Sequence, residues 1–245
     1  MTDTDAFTLS RDGAVGIVTL GRPDDGNRLT AAEVRALGRA IRALGEDRET
    51  KVVLVRAEGE AFCLGRTPAP PAAAPKSALA VREGVTQPIL DLYADVRATP
   101  VPVIAAVQGE AKGFGCAFVG QCDLAIASES AVFSMPEMDT NLPPTLAISA
   151  ILGKVPPKRA LHLVYTRRRI GAAEALSLGL LSEVVPASDL GAAVAATLAA
   201  MTDRTRPSLC AVKEYMSVAP YMDPHAAARM AGNLLSVVLS SPGDA

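Results

Sequence analysis

A loop with the glycines Gly109, Gly113 and Gly115 and, at the far end, the carboxylate Glu137 fall within a single stretch running from Val103 to Glu137. A glycine-rich turn that feeds a helix leaves backbone N–H groups at the helix start without intrahelical acceptors, and such groups hold negative charge. Here the turn leads into Cys116, Ala117, Val119 and Gly120, small apolar residues at helical spacing. The carboxylate of Glu137 can act as a base. An anion site and a base in one unit point to chemistry on a carbonyl compound. Taken alone, the glycines fit plain turn geometry and Glu137 fits a solvated or capping carboxylate, so the rest of the chain decides.

The elements that must position these residues read clearly. Val103 to Val107 is wholly apolar and forms a buried strand. Cys122 to Ala127 is a second strand, and Ala131 to Ser134 a short third one. Upstream, Ala6 to Arg11 and Ala14 to Gly21 alternate around Asp12-Gly13 as a hairpin. Thr30 caps a helix with Glu33 as its capping-box partner, and Val34, Leu37, Ile41 and Leu44 share one face. Lys51 to Ala57 is a buried strand, and Ala61 to Leu64 a shorter one ending at Gly65. Thr67 to Pro75 is too rich in proline for helix or central strand and reads as an irregular loop. Ala78 to Ala98 is helical with an irregularity at Pro88. After the loop from Met138 to Pro144, helices cover Thr145 to Leu152, Pro157 to Tyr165 and Ala172 to Leu178, followed by a last strand, Leu181 to Val185. Asp189 to Thr202, Arg206 to Val218 and Pro224 to Leu239 complete a helical end. A strand–strand–helix unit recurs at 14–44, 51–97 and 103–152, which suggests a stacked or spiral core. No glycine-rich turn follows the first strand, so a dinucleotide-binding Rossmann unit is excluded.

Composition removes other classes. The chain has 245 residues, 49% of them hydrophobic and 20% charged, with a net charge of −2. That supports a substantial core and offers no basic field for nucleic acid. Tryptophan is absent and aromatic residues make up only 4%, so base-stacking platforms are not expected. No apolar run reaches membrane-spanning length, and the polar start MTDTDAFTLS is unlike a signal peptide. Cys63, Cys116, Cys122 and Cys210 sit in apolar runs without metal-ligand spacing, which reads as reduced thiols in a cytoplasmic protein and no metal site.

The segments PVIAAVQGEAKGFGCAF and CDLAIASESAVFSMPE together resemble the signature of the crotonase, or enoyl-CoA hydratase/isomerase, superfamily. RPDDGNRL, AFCLG and RIGAAEALSLGLLSEVVP are similar to further family segments, so the likeness covers nearly the whole chain. It implies an α/β fold, a spiral of ββα units with a helical C-terminal trimerisation region. Residues 1–188 would form the core with the CoA-thioester site and residues 189–245 the helical region. It also implies a homotrimer or dimer of trimers, and an acyl-CoA thioester ligand with no separate cofactor. By position the oxyanion-hole amides fall on Arg66 and Phe114, and the base on Glu137. Asn27, Arg28, Leu64, Gly65 and Gly113 fall where substrate or CoA would be bound.

The departures from the family pattern are informative. Family hydratases carry two glutamates, and the first of these positions holds Ala117, whose methyl group moves no proton. One base suffices for Δ3-Δ2 enoyl-CoA isomerisation, and family isomerases keep only the later glutamate. Isomerisation with Glu137 as single base is therefore the expected activity. The alternatives are a hydratase of low or altered activity and a non-catalytic acyl-CoA binder. Gln121, on the same helix face as Ala117, could orient water but is no useful acid or base. Asp139 is expected in loop structure, and His162 in a packed or surface position. Lys112 is expected partly exposed, and Arg167-Arg168-Arg169 as a surface cluster.

Overall fold

The computed structural model describes residues 6–68 and 77–240. The order is β1 (Phe7–Asp12), β2 (Val15–Leu20), α1 (Ala31–Glu46), β3 (Val52–Ala57), α2 (Ala78–Val81), α3 (Gln87–Ala98) and β4 (Val103–Val107). Then follow β5 (Ala111–Lys112), α4 (Phe114–Gln121), β6 (Leu124–Ser128), β7 (Val132–Ser134), α5 (Thr145–Ile151) and α6 (Pro157–Thr166). The end comprises β8 (Ile170–Gly171), α7 (Ala172–Ser177), β9 (Glu183–Val185), α8 (Leu190–Thr202), α9 (Arg206–Val218) and α10 (Pro224–Ser240).

Two ladders explain the repeating unit. The first strands of successive units join one six-stranded sheet, ordered β1-β2-β3-β4-β6-β9 and parallel from β2 onward. The second strands step along a separate ladder. Leu29 bridges Arg66, Cys63 bridges Ala111, β5 pairs with β7, and β7 pairs with β8. Each unit thus passes a chain segment to its neighbour, and the glycine turn after β4 sits on this second ladder.

A parallel sheet must be covered on both faces, and alternation along its strands supplies the two apolar surfaces. Val53, Val55, Val103, Ala105 and Val107 enter the main core with α1, α3 and α4, while Val52, Leu54, Ile104 and Ile126 face the cluster around Val194 of α8. The Thr30–Glu33 capping box forms as the sequence indicates. The helical end is tied to the core by polar anchors. Lys213 on α9, almost fully buried, pairs with Asp123 at 2.7 Å and donates to the carbonyls of Val96 and Val101. Asp123 in turn accepts from the Val103 N–H at the start of β4. Arg206 donates to the carbonyls of Thr50 and Gly45.

Three expectations are corrected. Ala61 to Leu64 is not a regular strand: it contributes a single bridge at Cys63, and Gly65, at φ +107°, breaks the extended run. The irregularity in the helix before β4 lies at Arg82–Thr86, one turn ahead of Pro88, where the backbone widens into a π-turn and the Gln87 N–H bonds to Arg82 O. Pro88 has no N–H to close a normal helical bond, so the distortion falls upstream of it. The two-residue strands β5 and β8 lie in segments that read as loop and helix approach. Of the proline-rich loop, residues 69–75 lie outside the described residues, as does the terminal PGDA. No helix among the described residues is long and apolar enough to cross a membrane.

Candidate functional site

The site is built around Gly113. Its N–H donates to Ser134 O at the end of β7, which fixes the turn against the segment leading to Glu137. Gly113 has φ +56° and serves as the N-cap of α4. A Cβ at this position would lie 2.9 Å from the Glu137 Oε1, so the absent side chain is what makes room for the carboxylate. Glu137 opens a short 3₁₀ turn, Glu137–Thr140, and its Oε2 is buried without a hydrogen-bond partner. Burial pushes its carboxyl above the ordinary carboxylate range, and the charge of Lys112 opposes that rise. A desolvated carboxylate with a free oxygen is a stronger base than a solvated one.

Of the two amides assigned from the sequence, that of Arg66 lies at a bridge to Leu29 on the second ladder and that of Phe114 at the start of α4, just after β5. Leu29 N donates to Gly65 O and Thr67 N donates to Leu29 O, at 3.2 and 2.9 Å. Amides alternate along an extended chain, so the N–H of Arg66 faces away from Leu29. Lys112 N donates to Cys63 O at 2.9 Å, and a Cβ on Gly65 would meet Lys112 O at 3.3 Å. Gly65-Arg66 and Gly113-Phe114 are therefore held side by side. Gly115 permits this approach: a Cβ there would stand 2.1 Å from Cys63 O. Among the described residues neither Arg66 N nor Phe114 N has an acceptor. Phe114 is the first residue of α4, where the lack of an acceptor is a consequence of helix geometry.

The other candidate residues fall into two groups. Leu64 is half-buried and packs over Gly26, and Arg28 is anchored to Asp25 through its own N–H and one guanidinium nitrogen. Asn27 is completely committed to the loop. Its Nδ2 donates to the carbonyls of Glu58 and Ala61, and its Oδ1 accepts from Arg22 N. That leaves its side chain positioning the turn rather than free to hold a ligand. Ala117 is fully buried on α4, and its methyl is the whole of its side chain. Gln121 bonds to Ala150 O and Arg97, so it is not available to orient water. Asp139 pairs with Arg167 at 2.7 Å, Arg168 pairs with Glu174, and Arg169 with Glu110. His162 and His225 are exposed.

Two features of the site were not read from the sequence. Tyr93 of α3 is buried within electrostatic reach of Cys116 and Glu137, and burial pushes its phenol upward. In the sequence it is one more apolar position of a helix face. Cys116 lies beside the same carboxylate, and burial followed by the Glu137 charge pushes its thiol up to about 12, so it stays protonated. The second feature is the Arg66 side chain. Its Nη1 donates to Val85 O in the π-turn at 2.9 Å, while its Nε is buried without a partner. Among the described residues no group of side chains is suited to hold a metal ion.

Two N–H groups without acceptors among the described residues and a desolvated carboxylate thus sit on a spiral of ββα units with a helical end. Comparison with known proteins shows the family. The family model described as enoyl-CoA hydratase/isomerase matches residues 10–236. A Mycobacterium tuberculosis protein assigned as an enoyl-CoA hydratase is 30% identical over 211 residues, 86% of this chain and 80% of its own length. An enoyl-CoA hydratase of Mycobacterium smegmatis superposes with a TM-score of 0.90 at 28% identity, covering 97% of this chain and 92% of that one. A Thermobifida fusca protein assigned as an enoyl-CoA hydratase, solved in complex with CoA, superposes with a TM-score of 0.83 at 29% identity, covering 96% and 93%. The chain belongs to the enoyl-CoA hydratase/isomerase family and has the crotonase-like fold. It spans less of some relatives, 65% of a mitochondrial one from Dictyostelium discoideum.

Proposed function

We propose that this protein acts on acyl-CoA thioesters and isomerises Δ3 to Δ2 enoyl thioesters, with Glu137 as the single base. The thioester carbonyl oxygen sits between the N–H groups of Arg66 and Phe114, beside Leu64, Gly65 and Gly113. Glu137 removes the α-proton. The resulting dienolate places negative charge on that oxygen, where each donor stabilises it by about 2.7–4 kcal/mol, as in other oxyanion holes. The same carboxyl, now protonated, returns its proton to the γ-carbon, and the double bond moves into conjugation.

One observation carries the choice of isomerisation over hydration. Hydration needs one group for the water and another for the carbon, and the two positions weighed for that second group do not supply it: Ala117 is a buried methyl and Gln121 is bonded elsewhere. The hydratase reading remains the competitor because the relatives bear that name. Purified protein offered 3-enoyl and 2-enoyl CoA thioesters separates them. Conjugation of the 3-enoyl ester with crotonyl-CoA hydrated at least ~100-fold more slowly is expected, the lower bound of what one general acid–base group contributes. Hydration as fast as isomerisation would sink the single-base reading.

The same proposal includes assembly through the helical end. α10 buries no residue within the protomer, and Val212, Met216, Leu235 and Leu239 are all more than half exposed on α9 and α10. Apolar surface on this scale marks an association face. Light scattering is expected to give a trimer mass or its double; a monomer at micromolar concentration would exclude it.

A further inference from the structure

The side chain of Arg66 has no assigned role, since only its amide enters the proposed chemistry. It leaves the very residue whose N–H would hold the thioester oxygen, and it ends at Val85 O in the π-turn between α2 and α3. Nε is buried and unpartnered, and burial draws the guanidinium below its ordinary value. No carboxylate pairs with it among the described residues. Glu83, the acid on the same π-turn, is exposed. Residues 67–77, Thr-Pro-Ala-Pro-Pro-Ala-Ala-Ala-Pro-Lys-Ser, contain no acid that could serve. A half-buried guanidinium without a counter-charge has lost part of its hydration, and an anion that joins it offsets that cost. Arginine suits a carboxylate in particular, through parallel N–H donors on a planar fork.

We propose that the Arg66 guanidinium is a specificity determinant that selects acyl-CoA thioesters whose acyl chain carries a second carboxylate. The inference rests on the acyl-CoA reading above and names its substrate class. With the thioester oxygen on the Arg66 N–H, the guanidinium lies a side-chain length away. A carboxylate a few carbons beyond the thioester falls within that span. The CoA phosphates are the other anions the ligand carries. They are common to every thioester, so a preference between acyl groups does not come from them.

The test uses a matched pair, 3-hexenedioyl-CoA and 3-hexenoyl-CoA, which differ only in the terminal carboxylate. The wild type is expected to favour the acidic ester in kcat/KM by roughly 10- to 100-fold, the range of one charge-assisted hydrogen-bonded pair. Arg66→Met should bring that ratio close to one, and Arg66→Lys should restore part of it. The ratio is the readout because a displaced oxyanion amide would slow both esters alike. A wild-type ratio near one, or equal losses with both esters in Arg66→Met, would overturn the proposal. If neither ester is turned over, the isomerase reading fails, and calorimetry with adipyl-CoA and hexanoyl-CoA decides the substrate class independently. Tighter adipyl-CoA binding that Arg66→Met abolishes supports it, and equal binding of the two sinks it.

Discussion

Glu137→Gln is expected to lower isomerase kcat by about 10²–10⁴-fold, the range that a positioned acid–base group supplies, while making the folded protein more stable at neutral pH. The two effects have one origin. Gln keeps the shape of the side chain and its place over Gly113, but it can neither take the α-proton nor deliver it. In the wild type, burial raises the folded-state value of the carboxyl above its unfolded value, with Lys112 opposing. The folded protein therefore binds the proton more tightly than the unfolded chain does. The sign follows from linkage: the associated stability is present below the ordinary carboxylate value and is lost as pH rises through the raised folded value. Gln has no charge to desolvate, so above that window the variant should melt higher than the wild type. At acid pH, where Glu137 is protonated, the two should converge. The same raised value sets the acid limb of the wild-type pH–rate profile, which should lie above the usual carboxylate range. A variant with wild-type isomerase activity would remove Glu137 from the chemistry. A variant inactive but destabilised at pH 7 would make its carboxylate a structural group.

What could be read in advance divides by how far the determining contacts lie along the chain. The Thr30–Glu33 capping box is a local device, complete within a few residues, and it was legible. So were the buried strands at Lys51 to Ala57 and Val103 to Val107, because strands buried on both faces must be apolar throughout. The bridge Leu29–Arg66 and the strands β5 and β8 were not, since a one- or two-residue strand is defined only by its partner. Asn27 shows the same limit at the level of a side chain. In sequence it is a polar loop residue free to meet a ligand, but its three hydrogen bonds go to backbone groups at Arg22, Glu58 and Ala61. Gln121 repeats the lesson with Ala150 and Arg97. The glycines were legible as a group but not one by one. Gly113 makes room for a carboxylate, whereas Gly109 lets Glu60 O pass, with a Cβ there only 1.7 Å from that oxygen. Only the folded backbone distinguishes the two uses.

Gly115→Ala is the substitution expected to cost most stability near the site. Gly115 lies in α4, where alanine would ordinarily be favoured by about 1 kcal/mol. Its backbone needs no positive φ, so conformational preference argues for the change. Contact argues against it and wins. The new Cβ would stand 2.1 Å from Cys63 O and 2.9 Å from both Cys63 C and Cys63 Cβ. Two of these atoms belong to the backbone, and Cys63 O already accepts from Lys112 N, so no side chain can swing away to relieve the overlap. Relief requires α4 and the segment from Phe62 to Arg66 to move apart. Overpacking a close-packed contact typically costs 1–3 kcal/mol, and a backbone obstacle puts this case at about 3 kcal/mol or more. For a chain of this size that corresponds to a fall in Tm of roughly 6–12 °C. The displacement also separates the Arg66 and Phe114 amides, and loss of one donor from an oxyanion hole lowers kcat by about 10²–10³-fold. Gly191→Ala in α8 is the control, because nothing lies within 4 Å of its added Cβ. It should gain up to about 1 kcal/mol from helix propensity and leave activity unchanged. If Gly115→Ala instead retained wild-type Tm and kcat, the close packing of the two amide-bearing segments would not be what holds the hole together.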